Sequence, residues 1–467
     1  MKKPLGTFSE IASITGGTLK CLSGAEEGLV DTVSADTRTM SAGALFFAVR
    51  GERTDGHLYL PQAFGAGAAL AVVEKNHPAL EGLDPEAALI EVDDTLEAMH
   101  RLAASYRNRH DIPVVAVTGS SGKTTTKDMV RAVLAEQFEV LASQGSYNNE
   151  IGLPMTIFGL TEETRALVVE MGMRGLGQID QLCRIARPDI GIITNVGLTH
   201  FELLGSAENI FLAKGELAEA IGPEGFCILN GEDSWTEKMI SRCRGTVRIF
   251  GLGAGADIRA MDIRHSDGGS CFRVVSSSGE AEVVLPYPGL HNILDALAAI
   301  GTGLILGMDP ETCARGLSRA RLSSNRLEFL AGIQGSTVIN DCYNANPDST
   351  RASLNILGQR NGRKVAVLGD MRELGALEKS EHLAVGRYAV EQGTELLATV
   401  GEMARDIRTG ALEAGLPENQ SASFDNNTEA ARWIAARLVP GDTVLIKGSR
   451  IMGMESIVEL LKEEDRP

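Results

Sequence analysis

The sequence predicts an α/β protein of three domains: a central domain built on a mostly parallel sheet of P-loop type, a C-terminal Rossmann-like domain, and an N-terminal α/β domain. Three observations carry this. The 467 residues suffice for three units of roughly 150 residues each. Short β-branched runs bounded by turn residues alternate with helical periodicity along the whole chain, which is the pattern of parallel sheets covered by helices. Glycines number 52 while aromatic residues make up only 4%, a balance that suits tight β-to-α turns and nucleotide loops better than a β-sandwich.

The elements follow in order. Residues 1–92 form the first domain, with strand-like runs at Ala44 to Val49 and Ala69 to Val73. A helical segment from Thr95 to Arg109 opens the second, 93–322, and Pro113 breaks it before the apolar strand Val114 to Val117. Further strands are read at Ala166 to Val169, Ile190 to Thr194 and Cys227 to Leu229, followed by an irregular, antiparallel portion over Val247 to Leu285. A helix follows Gly289, and a Leu/Ser/Arg-rich stretch at 315–325 reads as a connector. The third domain, 323–467, repeats strand and helix at Val338 to Asp341, Val365 to Leu368, Leu397 to Val400 and Val444 to Ile446.

Composition excludes several functions. A formal net charge of −18 leaves no basic excess to neutralise nucleic acid or an anionic membrane surface. The longest uncharged apolar stretch, Ala296 to Met308, has 13 residues, short of the roughly 20 a membrane helix needs. Thr7, Ser9 and Glu10 interrupt the apolar core a signal peptide would require. The expectation is a cytoplasmic monomer. Cysteines 21, 183, 227, 243, 271, 313 and 342 are scattered with no C-x-x-C spacing, so they read as reduced thiols without a zinc role.

The sharpest local signal is the run from Val114 through Gly119-Ser120-Ser121-Gly122-Lys123-Thr124-Thr125-Thr126, a buried strand entering a glycine loop and then a helix. Backbone N–H groups of Gly119, Ser120, Ser121 and Gly122 can turn onto phosphate oxygens, the helix N-terminus adds positive potential, Lys123 is a point charge, and the Thr124 hydroxyl, with Thr125 beside it, can reach Mg²⁺. Val117 stands where the longer loop spacing would have a glycine, so the loop is the shorter T-G-x-x-G-K-T-T form. A second apolar strand ends in Glu170 and a third leads to His200. Strand ends of a parallel sheet share one rim, so both side chains are metal-ligand candidates beside the loop. Lys214 lies shortly downstream in a helical stretch.

Together these elements resemble the Mur ligases, ATP-dependent amino-acid-adding enzymes of cell-wall synthesis, and the resemblance spans essentially the whole chain. It implies that Lys214 is carbamylated, turning a cation into a carboxylate that helps Thr124, Glu170 and His200 hold Mg²⁺, with two ions in the site. It implies that Ser34, Thr37 and Arg38, with the following segment 50–57, belong to a UDP-binding N-terminal domain, and that Asn148 and Asn149 in Ser146-Tyr147-Asn148-Asn149 meet the substrate near the transferred phosphate. Asn292 would contact adenine, Arg326 would approach the phosphates from the third domain, and Asp341 would accept hydrogen bonds from ribose. The family's usual Pro-Gly before this arginine is here Ser324-Asn325. Lys123, Lys214, His200 and Arg326 are thus the expected catalytic set. Tyr343-Asn344-Ala345-Asn346-Pro347 resembles the branch that adds D-alanyl-D-alanine to UDP-N-acetylmuramoyl-tripeptide, with Tyr343, Asn344 and Asn346 as substrate contacts. The 369–375 and 447–450 segments resemble the same branch, and Lys447 or Arg450 offers charge for the dipeptide carboxylate. A sibling ligase adding lysine or diaminopimelate, and a nucleotide-binding regulatory module, are the alternatives.

Overall fold

The computed structural model describes residues 3–463 apart from 23, 52, 53, 146 and 267. Glu52, Arg53 and Ser146, which belong to two of the sequence motifs, lie outside the described residues.

The central strands Val114–Thr118, Ala166–Glu170 and Ile190–Ile193 are buried at every position, which is why they read as continuous apolar runs rather than alternating ones. They belong to a nine-stranded sheet in the order Gly279–Leu285, Gly269–Ser276, Ile258–Ser266, Thr246–Gly251, Phe226–Asn230, Ile190–Ile193, Val114–Thr118, Ala166–Glu170, Val140–Ala142. Alternate residues face two cores. Val115, Val117, Val168 and Ile192 pack against the helices Lys123–Leu134, Leu290–Ile305 and Pro310–Ser318. Val114, Ala116, Leu167 and Val169 pack against Gln178–Ala186 and Ala207–Ala220. The register pairs Glu170 with Val117 and Ile193 with Thr118, so three strand ends meet at one rim.

Two expectations change here. Thr246–Gly251 is not part of an antiparallel portion but pairs in parallel with Phe226–Asn230, and only the strands from Ile258 to Leu285 run antiparallel to one another. Its residues alternate between exposed and covered because one face is open to solvent, and alternation is the pattern an antiparallel edge also shows. The stretch expected as a connector begins inside the helix Pro310–Ser318, started by Asp309, whose carboxylate accepts from the Thr312 N–H at 2.8 Å, with proline in the first turn.

The first unit is a five-stranded sheet in the order Thr18–Lys20, Leu89–Val92, Leu70–Glu74, Leu45–Phe47, Val33–Ser34, parallel except at its first pairing. The helix Thr95–Arg107, capped by Asp94, ties it to the central unit. Met99, Leu102, Ala103 and Tyr106 sit in one hydrophobic cluster with Leu45 and Leu70 on one side and Leu153 and Ile179 on the other. The third unit has a six-stranded sheet, Glu328–Gly332, Ser336–Asn340, Thr443–Lys447, Lys364–Gly369, Thr394–Val400, Ser421–Phe424. Among the described residues its two clusters contain none from the other units, so it meets them across a cleft rather than through a shared core.

Candidate active site

A cleft of about 1100 Å³ opens between the P-loop rim and the third unit. Its floor is the loop between Val114–Thr118 and the helix Lys123–Leu134. Gly119 has φ 150° and a Cβ there would fall 1.9 Å from Thr194 Oγ1. At Gly122, φ 81°, a Cβ would lie 2.6 Å from Asp295 Oδ1. Both places therefore demand glycine. The tip of the neighbouring strand pins the loop: the Ser121 N–H donates to Asn195 Oδ1 at 2.9 Å, Thr194 Oγ1 donates to Ser121 O at 2.6 Å, and the Gly197 N–H donates to Ser120 Oγ at 2.8 Å. Lys123 curls over the loop, its Nζ donating to Gly119 O at 2.8 Å, and burial lowers its pKa against the opposing pull of Glu170.

Around this floor the structure gathers most of the expected residues. Thr124 Oγ1 donates to Glu170 Oε2 at 2.7 Å, and Asn148 Nδ2 donates to Glu170 Oε1 at 2.8 Å. Arg326 crosses from the third unit, its Nη2 donating to Thr124 Oγ1 at 2.8 Å while its guanidinium stacks 4.1 Å from the centroid of Tyr343. Asn346 Nδ2 donates to Ser121 Oγ at 3.0 Å. His200, in left-handed backbone at φ 60°, lines the cleft and pairs through Nδ1 with Glu373 of the third unit. Thr125, Asn149, Asn292, Asp341 and Asn344 also line it. The Asn292 amide donates to Pro288 O at 2.6 Å, leaving its Oδ1 available. Lys214 lies behind the wall on Ala207–Ala220, 2% exposed, and burial with Lys123 nearby pushes its amine well below the usual lysine range.

A hard cation fits this donor set: a hydroxyl and a buried carboxylate already in contact, with an imidazole on the same cleft. Burial and the neighbouring Lys123 both disfavour the ammonium form of Lys214, and only the uncharged amine reacts with CO₂.

Other expected residues lie elsewhere or, like Lys447 on the cleft wall, are already engaged. Ser34, Thr37 and Arg38 line no part of the cleft, because the strand Val33–Ser34 is the outer edge of its sheet. Arg38 pairs with Asp36 at 2.6 Å. The first unit reaches the cleft with Gly51 and Thr54 instead. Lys447 does not offer a free charge for a carboxylate: it is 3% exposed, ion-paired with Asp341, and donates to Asn344 O at 3.1 Å. Thr443–Lys447 and Ser336–Asn340 are adjacent parallel strands with Asn340 opposite Ile446, so the next residue on each, Asp341 and Lys447, meet. Asp341 Oδ2 also accepts from Ser353 Oγ at 2.6 Å. Arg450 pairs with Glu455 at 2.7 Å, outside the cleft.

Sequence reasoning passed over His291, Asp295, Asn195 and Glu373. Asp295 lies three residues after Asn292 on one helical face; its Oδ1 accepts from Thr126 Oγ1 at 2.9 Å, and burial pushes its carboxyl up to about 8. Burial pushes His291 down to about 4. Their spacing from Asn292 was the available signal. Asp55, His57 and His77 also converge, but their atoms are committed. His57 Nε2 accepts from the Glu74 N–H at 2.9 Å and His77 Nδ1 from the Ala79 N–H at 3.1 Å, so the other ring nitrogens donate to Asp55 at 2.7 and 3.0 Å. This is a hydrogen-bonded staple of the first unit, in which neither imidazole keeps a lone pair for a metal.

Fold and cleft together define a P-loop α/β protein whose nucleotide site lies between units. The chain belongs to the Mur ligase family: the family models described as Mur ligase catalytic domain, Mur ligase middle domain and Mur ligase glutamate ligase domain match residues 29–107, 117–303 and 325–450. It is 36% identical over 460 residues to the UDP-N-acetylmuramoyl-tripeptide–D-alanyl-D-alanine ligase of Bacillus subtilis (strain 168), covering 98% of both chains. A crystal structure of MurF from Acinetobacter baumannii superposes with a TM-score of 0.90 at 31% identity over 98% of both chains. The MurF ligase from Thermotoga maritima in complex with ADP follows at 0.81 and 26%, covering 92% of this chain and 97% of that one.

Proposed function

We propose that this chain joins D-alanyl-D-alanine to UDP-N-acetylmuramoyl-tripeptide at the expense of ATP, releasing ADP and phosphate. The observation that carries the reading is the contact from Arg326 Nη2 to Thr124 Oγ1, 2.8 Å across the cleft, which puts an arginine of the third unit over a loop built for phosphate. The names of the relatives supply the substrates.

The tripeptide's terminal carboxylate attacks the γ-phosphorus of ATP, giving an acyl phosphate and ADP. The dipeptide amine then adds to the acyl carbon, and the tetrahedral intermediate collapses with loss of phosphate and a proton. Two anions must approach in the first step, so positive charge at the transferred phosphoryl group is the main requirement. Lys123 and Arg326 provide it from opposite sides; the loop Gly119, Ser120, Ser121 and Gly122, held in shape by the Ser120 and Ser121 N–H bonds to Asn195, cradles the phosphates and presents to them the N–H groups at the start of the helix Lys123–Leu134. Mg²⁺ would be held by Thr124, Glu170, His200 and Lys214, and would supply further charge neutralisation there. Lys214 would act as its carbamate, formed when the neutral amine bonds to the carbon of CO₂ and releases a proton. Asn148 and Asn149 face the tripeptide, Asn292 the adenine, and Asp341, held in place by Lys447, the ribose. Tyr343, Asn344 and Asn346 border the place where the dipeptide enters. Ser34, Thr37 and Arg38, outside the cleft, are assigned to the far uridine end of the long nucleotide substrate.

Domain divisions at 92/93 and 322/323 and a monomer in the cytoplasm complete the reading. Among the described residues no helix is long and apolar enough to cross a membrane. The test is phosphate release from ATP with UDP-muramoyl-tripeptide, comparing D-alanyl-D-alanine, D-alanine, L-lysine and diaminopimelate, with product mass read in parallel. Release and a dipeptide mass gain are expected only with D-alanyl-D-alanine; gain with a single amino acid would transfer the chain to a sibling activity.

A further inference from the structure

Arg326 is delivered by an unusual piece of backbone. The residues on both sides of it, Asn325 and Leu327, have φ 62° and 49°. Neither is glycine, and left-handed backbone is uncommon for other residues and most of all for a bulky apolar one. Such conformations persist where surrounding contacts over-determine them, and here the contacts are visible. Asn325 O accepts from the Tyr343 N–H at 3.1 Å, and Asn325 Oδ1 accepts from Asn340 Nδ2 at 2.9 Å. Asn340 Nδ2 donates also to Glu328 Oε2 at 2.6 Å. On the other side Leu327 is 6% exposed within the third unit's core, and its N–H points to Asp341 Oδ1 at 3.4 Å. Asn325 is thus tied through main chain and side chain to the end of Ser336–Asn340 and the turn after it, the same segment that carries the Tyr343 ring beneath the guanidinium. Two residues before Asn325, Ser323 is anchored to the P-loop helix, its N–H and Oγ donating to Asp128 Oδ2 at 2.7 and 2.8 Å.

We propose that Asn325 is a positioning residue: its left-handed backbone, locked by Asn340 and the Tyr343 N–H, aims Arg326 out of the third unit and onto Thr124. Asparagine suits the place because it tolerates this conformation better than other non-glycine residues and spends its side chain on the local lock. In any right-handed or extended conformation at 325 the chain leaves in another direction and the guanidinium misses the loop. The inference rests on the reading of Arg326 as a group that faces the transferred phosphate. Misplacement of such a group by about 1 Å costs about 10²-fold in rate, and it acts on the chemical step rather than on nucleotide capture, which the P-loop performs.

The experiment measures kcat and KM for ATP in the full-length enzyme with its three substrates, for Asn325→Gly, Asn325→Val, Asn340→Ala and Arg326→Ala, with ADP-induced thermal shift as the check that each variant is folded and retains its nucleotide pocket. Asn325→Gly, which keeps the left-handed backbone, is expected to stay within about threefold of the parent. Asn325→Val is expected to lose about 10²-fold in kcat with KM for ATP within about threefold, and Asn340→Ala to fall between them. A Val variant that turns over normally while Arg326→Ala does not overturns the proposal alone, as does a Gly variant as slow as Val. If Arg326→Ala itself turns over normally, the reading of Arg326 falls and the proposal with it. Should Asn325→Val fail to fold, the Gly and Asn340→Ala pair decides by the same kcat criterion.

Discussion

Replacing Lys447 by methionine isolates the buried ion pair under the cleft. Side-chain exposures are 3% for Lys447 and 12% for Asp341, so solvent screens the pair little. Attraction between unit charges at contact is about 4 kcal/mol at an effective dielectric near 20, and removing one member of a buried pair typically destabilises by about 3–5 kcal/mol, because the other charge is left without compensation. Asp341 retains two donors, Ser353 Oγ at 2.6 Å and the Leu327 N–H at 3.4 Å, which places the expected loss near the lower end, about 3 kcal/mol. Trp433 lies in the third unit and Trp235 in the central one, so urea unfolding followed by Trp433 fluorescence in a Trp235→Phe background reports the third unit separately. At a slope of about 1–3 kcal/mol per molar urea the midpoint should drop by about 1–3 M. Adding Asp341→Leu should restore most of it. A Lys447→Met protein with an unmoved midpoint and a raised KM for the dipeptide would refute this reasoning and return Lys447 to substrate binding.

Three further outcomes are expected. Burial holds the Asp295 carboxyl at about 8 against 3.8 for the free group, so the folded state binds this proton more tightly than the unfolded state and stability falls as pH rises between about 4 and 8. Asp295→Asn removes that loss, and its urea midpoint should gain on the parent's between pH 5 and pH 8; an equal difference at both pH values would show that no charge is being buried. Enzyme stripped of CO₂ by acidification and degassing should lose turnover and regain it on addition of bicarbonate, with a carbamate carbon visible by ¹³C NMR in the parent and absent in Lys214→Met; turnover indifferent to bicarbonate would sink the carbamate. The Glu373 side chain pairs with His200 across the cleft, so Glu373→Ala should loosen the third unit and raise the radius of gyration in small-angle scattering, while Glu373→Gln, which can still hydrogen-bond the imidazole, should not. An unchanged radius in both would argue that the shared cleft contacts at Thr124 and Ser121 suffice.

Much of the site was legible because it is local. The phosphate loop announces itself in Gly119 to Thr126, since glycine geometry, a preceding buried strand and a following helix are all encoded within a dozen residues. Glu170 and His200 could be placed beside it from the rule that parallel strands end at one rim. Thr246–Gly251 was misread because solvent on one face produces the alternation of an antiparallel edge, and Glu328–Gly332 and Ser421–Phe424 escaped because edge strands are short and only partly covered. The helix Pro310–Ser318 carried its own start signal in Asp309 and Pro310, obscured by the polar residues of its exposed face.

By itself, then, the sequence determined the class of fold, the phosphate loop and the set of residue types around it, because backbone preference and strand burial act over short stretches. Tertiary structure alone decided which charges are free and which are spent. Lys447 and Arg450 are equally cationic in the sequence, yet one is locked on Asp341 by the register of adjacent strands and the other pairs with Glu455 on the surface. Lys214 reads as an ordinary basic residue until burial, with Lys123 nearby, pulls its amine well below the usual lysine range. Arg326 reaches the loop from a turn with left-handed backbone on both sides of it. Charge, protonation and direction depend on neighbours brought together from far along the chain, and no local pattern records them.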